Sequence, residues 1–290
     1  MPVIGLGTGA FTSPVDTKVA VLEAIKAGYR HIDTALVYGS EQPIGEAIAE
    51  EAIAEALQLG LIGPEMNSSL LLSSGALIIF PILFLKLEYL DLYLVHWTIA
   101  VKPGNWEFPF PEEAIDSFDL EGVWKAMEEC QKLGLTKCIG VSNFSRKKLE
   151  NLLSFATIPP SVNQVEMNPT WQQKELREYC KSKGIIITAY SPLGSGTYWG
   201  SNNVVDDELL KEIAMAHGKS VPQVSLRWLY ELGITIAVKS YNKERMKQNL
   251  EIFDWSLTKG DYEKIDRVKQ HRLMSDGPTK FIVDLCDGEN

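Results

Sequence analysis

The chain has 290 residues, with 28 Lys and Arg against 38 Asp and Glu and a formal net charge of −10. Its 45% apolar and 23% charged residues exclude wholesale disorder. The acidic balance speaks against nucleic acid as a partner, because phosphate contacts need a basic face. With no linker-like or low-complexity stretch, residues 1–290 read as a single domain, a length that suits one α/β barrel of about 250 residues.

The chain alternates strand and helix patterns. VIGLGT (Val3–Thr8) reads as a first strand, Val15–Ala27 as a helix stopped by Gly28, and HIDTA (His31–Ala35) as a second strand. After a long interval come DLYLVHW (Asp91–Trp97), LTKCIGVSNF (Leu135–Phe144), SVNQVE (Ser161–Glu166), IIITAYSP (Ile185–Pro192) and ITIAVKS (Ile234–Ser240). Helical patterns occupy Leu120–Leu133, Lys147–Phe155, Lys174–Lys183, Asp206–His217 and Lys243–Phe253. Gly28, Gly134, Gly184 and Gly233 each stand between an amphipathic run and a β-branched one, where a left-handed cap residue belongs. Nearly continuous apolar strands between helices mean a parallel sheet covered on both faces. Seven strands are visible, and an eighth is expected between Tyr38 and Asp91, where the pattern fails. GLGTGA (Gly5–Ala10) lacks the third glycine of a dinucleotide-binding turn, so a closed (β/α)8 TIM barrel is expected rather than an open sheet.

Two features bear on location. Cys130, Cys138, Cys180 and Cys286 show no metal-ligand spacing and read as reduced thiols of a cytoplasmic protein. Met66 to Leu85 carries no charge over a membrane-spanning length, but Asn67, four serines, Gly75 and Pro81 argue against insertion. No membrane partner is expected.

Active sites of βα barrels lie at the carboxyl ends of the strands. Those ends carry Asp33, His96, Ser142 with Asn143, Gln164 with Glu166, Tyr190 with Ser191, and Lys239 with Ser240. Any one of these could be a helix cap or a satisfied core residue. Together they point to a polar pocket. His31, deeper on the face of Asp33, reads as core.

GYRHIDTALVYGSEQPIGEAI, LEYLDLYLVHW, IGVSNF, VNQVEMNP, AYSPLGSG and VKSYNKERMKQNLEIFDW resemble, in order, the motifs of the aldo-keto reductases. The plant secondary-metabolism branch, with its chalcone and codeinone reductases, is the most similar. The resemblance implies an NADPH-dependent carbonyl reductase that is a monomer and takes a small hydrophobic ketone or aldehyde. Tyr38 matches the family's proton donor, Asp33 its aspartate, and His96 the histidine that binds the substrate oxygen. A phenol, with an ordinary pKa of about 10, is a weak acid unless its neighbours tune it. Ser142, Asn143 and Gln164 match the nicotinamide carboxamide site, and Tyr190 the ring that stacks on the nicotinamide. Ser191, Leu193 and Ser195 match the loop over the pyrophosphate, and Lys239, Ser240, Arg245 and Asn249 the adenosine end. Lys239, Lys243, Arg245 and Lys247 fall within nine residues, a local anion site suited to the 2′-phosphate of NADP(H). Trp97, Trp106 and Arg272–Asn290 match regions that shape the substrate pocket.

One family residue is missing. Its lysine belongs to a strand of the form ITSKLW, and counting from Gly60–Ile62 places it at Ser73. The third strand and its crossover helix are therefore expected to be replaced or truncated, with unpaired sheet edges and impaired turnover. Back-translated with permitted codons and read one base earlier, Met66–Ala76 becomes DELFITSKLWC, which restores the strand and its lysine. EAIAE also occurs in tandem at Glu46–Glu50 and Glu51–Glu55, lengthening that helix by more than one turn. A non-catalytic NADP-binding paralogue and a frameshifted product are the alternatives to this impaired reductase.

Overall fold

The four glycines proposed as helix stops all adopt positive φ: 109° at Gly28, 74° at Gly134, 71° at Gly184 and 74° at Gly233. At Gly28 the backbone N–H returns to the carbonyls of Ala24 and Ile25, and the chain reverses into the next strand. The computed structural model describes residues 1–9, 13–59, 69–73, 85, 87–98, 100–102, 112–194 and 203–273, with the backbone alone over 52–59 and 69–73 and at 101 and 112.

The strands are β1 (Ile4–Gly7), β2 (His31–Ala35), β3 (Ser69–Ser73), β4 (Leu90–Val95), β5 (Ala100–Val101), β6 (Ile115–Asp116), β7 (Thr136–Ser142), β8 (Val162–Glu166), β9 (Ile186–Tyr190) and β10 (Thr235–Val238). Omitting the small antiparallel pair β5–β6, they close in the order β1-β10-β9-β8-β7-β4-β3-β2. Each ladder of the barrel is parallel. The expected (β/α)8 barrel is therefore present.

The eighth strand corrects the sequence reading. Ser69–Ser73 pairs in full with His31–Ala35 on one side, and through Leu71–Ser73 with Leu92–Leu94 on the other. The segment that departs from the family motif still supplies a strand, because SLLLS offers the apolar run a buried parallel strand needs. The expected unpaired edges are absent: β3 is paired on both sides. Ser73 ends this strand, with its Cα opposite Ala35 and Leu94. The crossover from Ser73 to β4 lies mostly outside the described residues. Both EAIAE copies lie in one helix, Glu41–Leu59.

Two helix readings need adjustment. Asp206–His217 is two helices, Asn203–Asp206 and Glu208–His217, because the Asp207 side chain accepts from Leu210 N–H and caps the second. The helix from Lys243 stops at Leu250 rather than Phe253. Val221–Glu231 and Lys259–Ile265 are further helices, each opened by a capping box, Ser220 with Gln223 and Thr258 with Asp261.

Trp124, Tyr29 and Phe144 are fully buried in the core, the first two tied by hydrogen bonds to the carbonyls of Ile158 and Met246. His31 sits beneath the site, fully buried, its Nδ1 3.2 Å from the Pro2 carbonyl. A Cβ on Gly5 would lie 2.6 Å from that ring, so the glycine makes room for it. Burial pushes the His31 pKa down to about 4, which supports its reading as a neutral core residue. No described helix is long and apolar enough to cross a membrane.

Candidate active site

The carboxyl ends of β2, β4, β7, β8 and β9 are joined by one run of hydrogen bonds. Gln164, on β8, donates from Nε2 to Asp33 Oδ1 on β2 at 3.2 Å. The backbone carbonyl of Gln164 accepts from Ser142 Oγ at 2.9 Å and from Asn143 N at 2.9 Å. Asn143, just past β7, donates from Nδ2 to the His96 carbonyl at 3.1 Å and to Ser142 Oγ at 3.2 Å. Its Oδ1 accepts from the Tyr190 hydroxyl at 2.8 Å. Asn143 holds φ at 63°, a left-handed conformation that asparagine tolerates better than most residues. Six of the sequence-predicted residues thus meet in one cluster.

Tyr38 enters from the 3-10 turn Leu36–Tyr38, which follows β2 and ends at Gly39 with φ 61°. Its ring meets that of His96 edge to face, 6.0 Å between centroids, and Trp97 lies 6.0 Å beyond His96. A Cβ on Gly9 would come 3.2 Å from the Tyr38 ring, so the first βα loop forms a wall against it. Below the turn, the Ser40 hydroxyl lies 2.5 Å from Thr34 Oγ1 and 3.2 Å from Thr8 Oγ1. Thr8 Oγ1 donates in turn to the Asp33 carbonyl at 2.8 Å. Sequence reasoning missed this hydroxyl chain, since a threonine inside a β-branched run reads as a strand former.

Burial sets the electrostatics. It raises the Asp33 carboxyl to about 7, opposed only in part by the Gln164 hydrogen bond. Among the described residues Asp33 has no ion pair. Burial also lowers His96 to about 4, although its side chain keeps some exposed surface. His96 is therefore neutral at physiological pH and can donate one ring N–H to a ligand oxygen.

Past β9, the Ser191 carbonyl accepts from Asn168 Nδ2 and from Gly194 N–H, folding the loop that carries Leu193 back over the barrel end. Past β10, Ser240 is buried and accepts from Asn242 N–H at 3.2 Å. Asn242 caps the helix Lys243–Leu250 through Arg245 N–H. Lys239 lies 5.5 Å from the Tyr241 ring centroid, and Arg245 is exposed. Asn249 is buried and bonds to Tyr29. The basic run is narrower than its sequence suggests. Lys243 pairs with Glu23 at 2.6 Å and Lys247 lies 3.7 Å from Glu244. Ser195 and Trp106 lie outside the described residues, as does the C-terminal stretch beyond Leu273. Among the described residues no group of His, Cys, Asp and Glu could hold a metal ion.

A nicotinamide dinucleotide fits this donor set. Side-chain amides and a hydroxyl cluster beside Tyr190, while a capped helix N-terminus with Lys239 and Arg245 stands past β10, where an anion is favoured.

Comparison with known proteins agrees with the geometry. The model of the aldo/keto reductase family matches residues 3–74 and 84–270. An NAD(P)H-dependent 6'-deoxychalcone synthase of Glycine max is 55% identical over 300 aligned positions, covering 100% of this chain and 93% of that protein. A (1S)-1,7-diacetoxy-luvungin A aldo-keto reductase of Citrus sinensis is 50% identical, covering 100% and 95%. Deoxymugineic acid synthase 1 of Zea mays is 47% identical, covering 100% and 96%. Among solved structures, the aldose reductase of Schistosoma japonicum superposes with a TM-score of 0.83 at 31% identity, covering 97% of this chain and 96% of the other. An aldo-keto reductase from a Medee basin deep-sea metagenome library gives 0.77 at 33%, covering 94% and 93%. The chain belongs to the aldo/keto reductase family, whose members are NADP(H)-dependent oxidoreductases.

Proposed function

We propose that the chain binds NADP(H) across the carboxyl end of its barrel and is built to reduce a small hydrophobic carbonyl compound, with its turnover impaired. The observation that carries the reading is the hydrogen-bonded run from Asp33 through Gln164, Ser142 and Asn143 to Tyr190, with His96 and Tyr38 beside it. Ser142, Asn143 and Gln164 hold the carboxamide, and the Tyr190 ring forms the floor on which the nicotinamide lies. Leu193, with Ser191, covers the pyrophosphate. Lys239, Ser240, Arg245 and Asn249 take the adenosine end and its phosphate. The bound cofactor supplies the hydride.

The residues of the chain manage the proton. Neutral His96 orients the substrate oxygen, and the Tyr38 hydroxyl gives its proton to that oxygen as it becomes an alkoxide. Trp97 supplies an apolar wall, and the site works in one copy of the chain. A tyrosine donates more readily when a cation stands nearby to stabilise the phenolate left behind. Asp33 meets none among the described residues, and Ser73 occupies the end of β3 where the family resemblance implies lysine. This favours a second reading, a cofactor-binding protein with little chemistry.

Fluorescence titration with NADPH, followed by a steady-state assay with a reactive aldehyde, tests the proposal. Saturable NADPH binding with slow, Tyr38-dependent oxidation supports it. Binding with no turnover supports the second reading, and no binding in a cooperatively folded chain refutes both.

A further inference from the structure

We propose that the hydrogen bond between Gln164 and Asp33 makes this chain's preference between the oxidised and reduced cofactor depend on the protonation of Asp33. The inference rests on the cofactor reading above and assigns these two residues a shared positioning role.

Asp33 is only 8% exposed, and among the described residues its one side-chain partner is Gln164 Nε2. Its backbone is fixed, since Thr8 N and Thr8 Oγ1 both donate to its carbonyl. The strands on either side place Gly7 and Leu71 opposite it, and neither β1 nor β3 contains an ionisable residue. Among the described residues, the other titratable groups carried at these strand ends are Tyr38, His96, Glu166, Tyr190 and Lys239, and the Glu166 carboxylate accepts from Leu273 N–H. His96 is held neutral by burial, the Tyr190 hydroxyl is engaged by Asn143, and Lys239 follows β10, two strands away around the barrel. His31, on the same strand, is buried and neutral near the Pro2 carbonyl. The titration of Asp33 is thus governed by burial and by Gln164, and it falls near neutrality.

Two consequences follow for a ligand. An ionised carboxylate can only accept, so it fixes the Gln164 amide with Nε2 towards Asp33 and Oε1 turned away, ready to accept from a carboxamide N–H. A neutral carboxyl can donate as well and no longer fixes the amide. The amide orientation serves both cofactor forms alike, since each carries the carboxamide, and charge is what separates them. The oxidised nicotinamide ring is a cation and the reduced ring is neutral, so a buried carboxylate at this end of the site stabilises the oxidised form selectively. By linkage, binding of NADP+ must then promote loss of the Asp33 proton by the same factor. The 2′-phosphate titrates in both cofactor forms, so its effect cancels in the ratio of their dissociation constants.

The test is calorimetric titration of the whole chain with NADP+ and with NADPH from about pH 5.5 to about pH 8.5, reading the ratio Kd(NADPH)/Kd(NADP+). The ratio is expected to rise about tenfold through neutral pH. In Gln164→Leu, which removes the hydrogen bond that favours ionisation, the midpoint of the rise moves to higher pH. In Asp33→Asn the ratio is flat. Should Asp33→Asn fail to fold, the midpoint in Gln164→Leu decides alone. A ratio independent of pH in the unaltered chain, or an unmoved midpoint in Gln164→Leu, overturns the inference while leaving the cofactor site intact. Binding of neither cofactor at any pH overturns the site and the inference together.

Discussion

The ring of His96 stands edge-on to that of Tyr38, 88° between planes and 6.0 Å between centroids. The two residues come from the ends of neighbouring βα units on either side of β3, so their spacing depends on barrel closure through the replaced strand. Tyr38→Phe removes the proposed proton donor and leaves this packing in place. We expect NADPH oxidation to fall by about two to four orders of magnitude from whatever rate the unaltered chain shows, with NADPH affinity unchanged. An unchanged rate in Tyr38→Phe would mean that the proton comes from elsewhere.

Asn143 carries more local load than any other residue of the cluster. It holds a left-handed φ while bonding the His96 carbonyl, Ser142 Oγ and the Tyr190 hydroxyl. Asn143→Ala loses these bonds together with asparagine's tolerance of that left-handed conformation, a combined cost of about 2–4 kcal/mol. Urea unfolding measures the loss. NADPH binding by the folded fraction should weaken as well.

Glu128 anchors the turn before β8 from a distance, its buried Oε1 accepting from Thr157 N–H at 2.7 Å and Ile158 N–H at 2.8 Å. Burial alone would raise its pKa, but the Ile158 and Thr157 hydrogen bonds outweigh burial and hold it below the ordinary carboxylate value. A carboxyl depressed in the folded state stabilises the fold above its unfolded pKa and loses that contribution as pH falls through the folded value. Unfolding free energy should therefore decline below about pH 4.5, and less steeply in Glu128→Gln. At neutral pH Glu128→Gln should cost about 1–3 kcal/mol, since an amide oxygen can accept the same two N–H groups but lacks the negative charge that strengthens both bonds. Matching acid slopes in the two proteins would refute the assignment.

Gly5 and His31 illustrate a contact that the sequence half disclosed. HIDTA marked His31 as a core residue two positions from Asp33, but nothing in GLG showed that the imidazole would lie against Gly5. Gly5→Ala drives a methyl to within 2.6 Å of the ring, and we expect a loss of about 1–3 kcal/mol in thermal or urea unfolding.

The same contrast runs through the molecule. Strands ending in a polar residue after a β-branched run, and helices ending in glycine, were legible because each is a local signal with a local cause. Asp33, His96, Ser142, Asn143, Gln164 and Tyr190 could be named for that reason. The partners of the basic run were not legible: Lys243 turns to Glu23 on a helix more than 200 residues earlier. β3 was missed because SLLLS is too short and too plain to separate from a buried helix segment. Register against β2 and β4 decides it, and that pairing is non-local.

The nucleotides encoding Met66–Ala76 carry a prediction of their own. If the segment arose by a one-base shift, the codons read one base earlier will spell DELFITSKLWC without interruption. A coding sequence that gives another peptide in that frame removes the frameshift explanation and leaves the serine at position 73 as a native replacement.

The most direct test of the account is steady-state NADPH oxidation with a reactive aldehyde, comparing the unaltered chain with Ser73→Lys, which places a cation at the end of β3. The account predicts slow turnover in the unaltered chain and a gain of about a hundredfold or more in Ser73→Lys, with little change in NADPH affinity. Turnover in the unaltered chain comparable to that of intact relatives, unchanged by the added lysine, would contradict it.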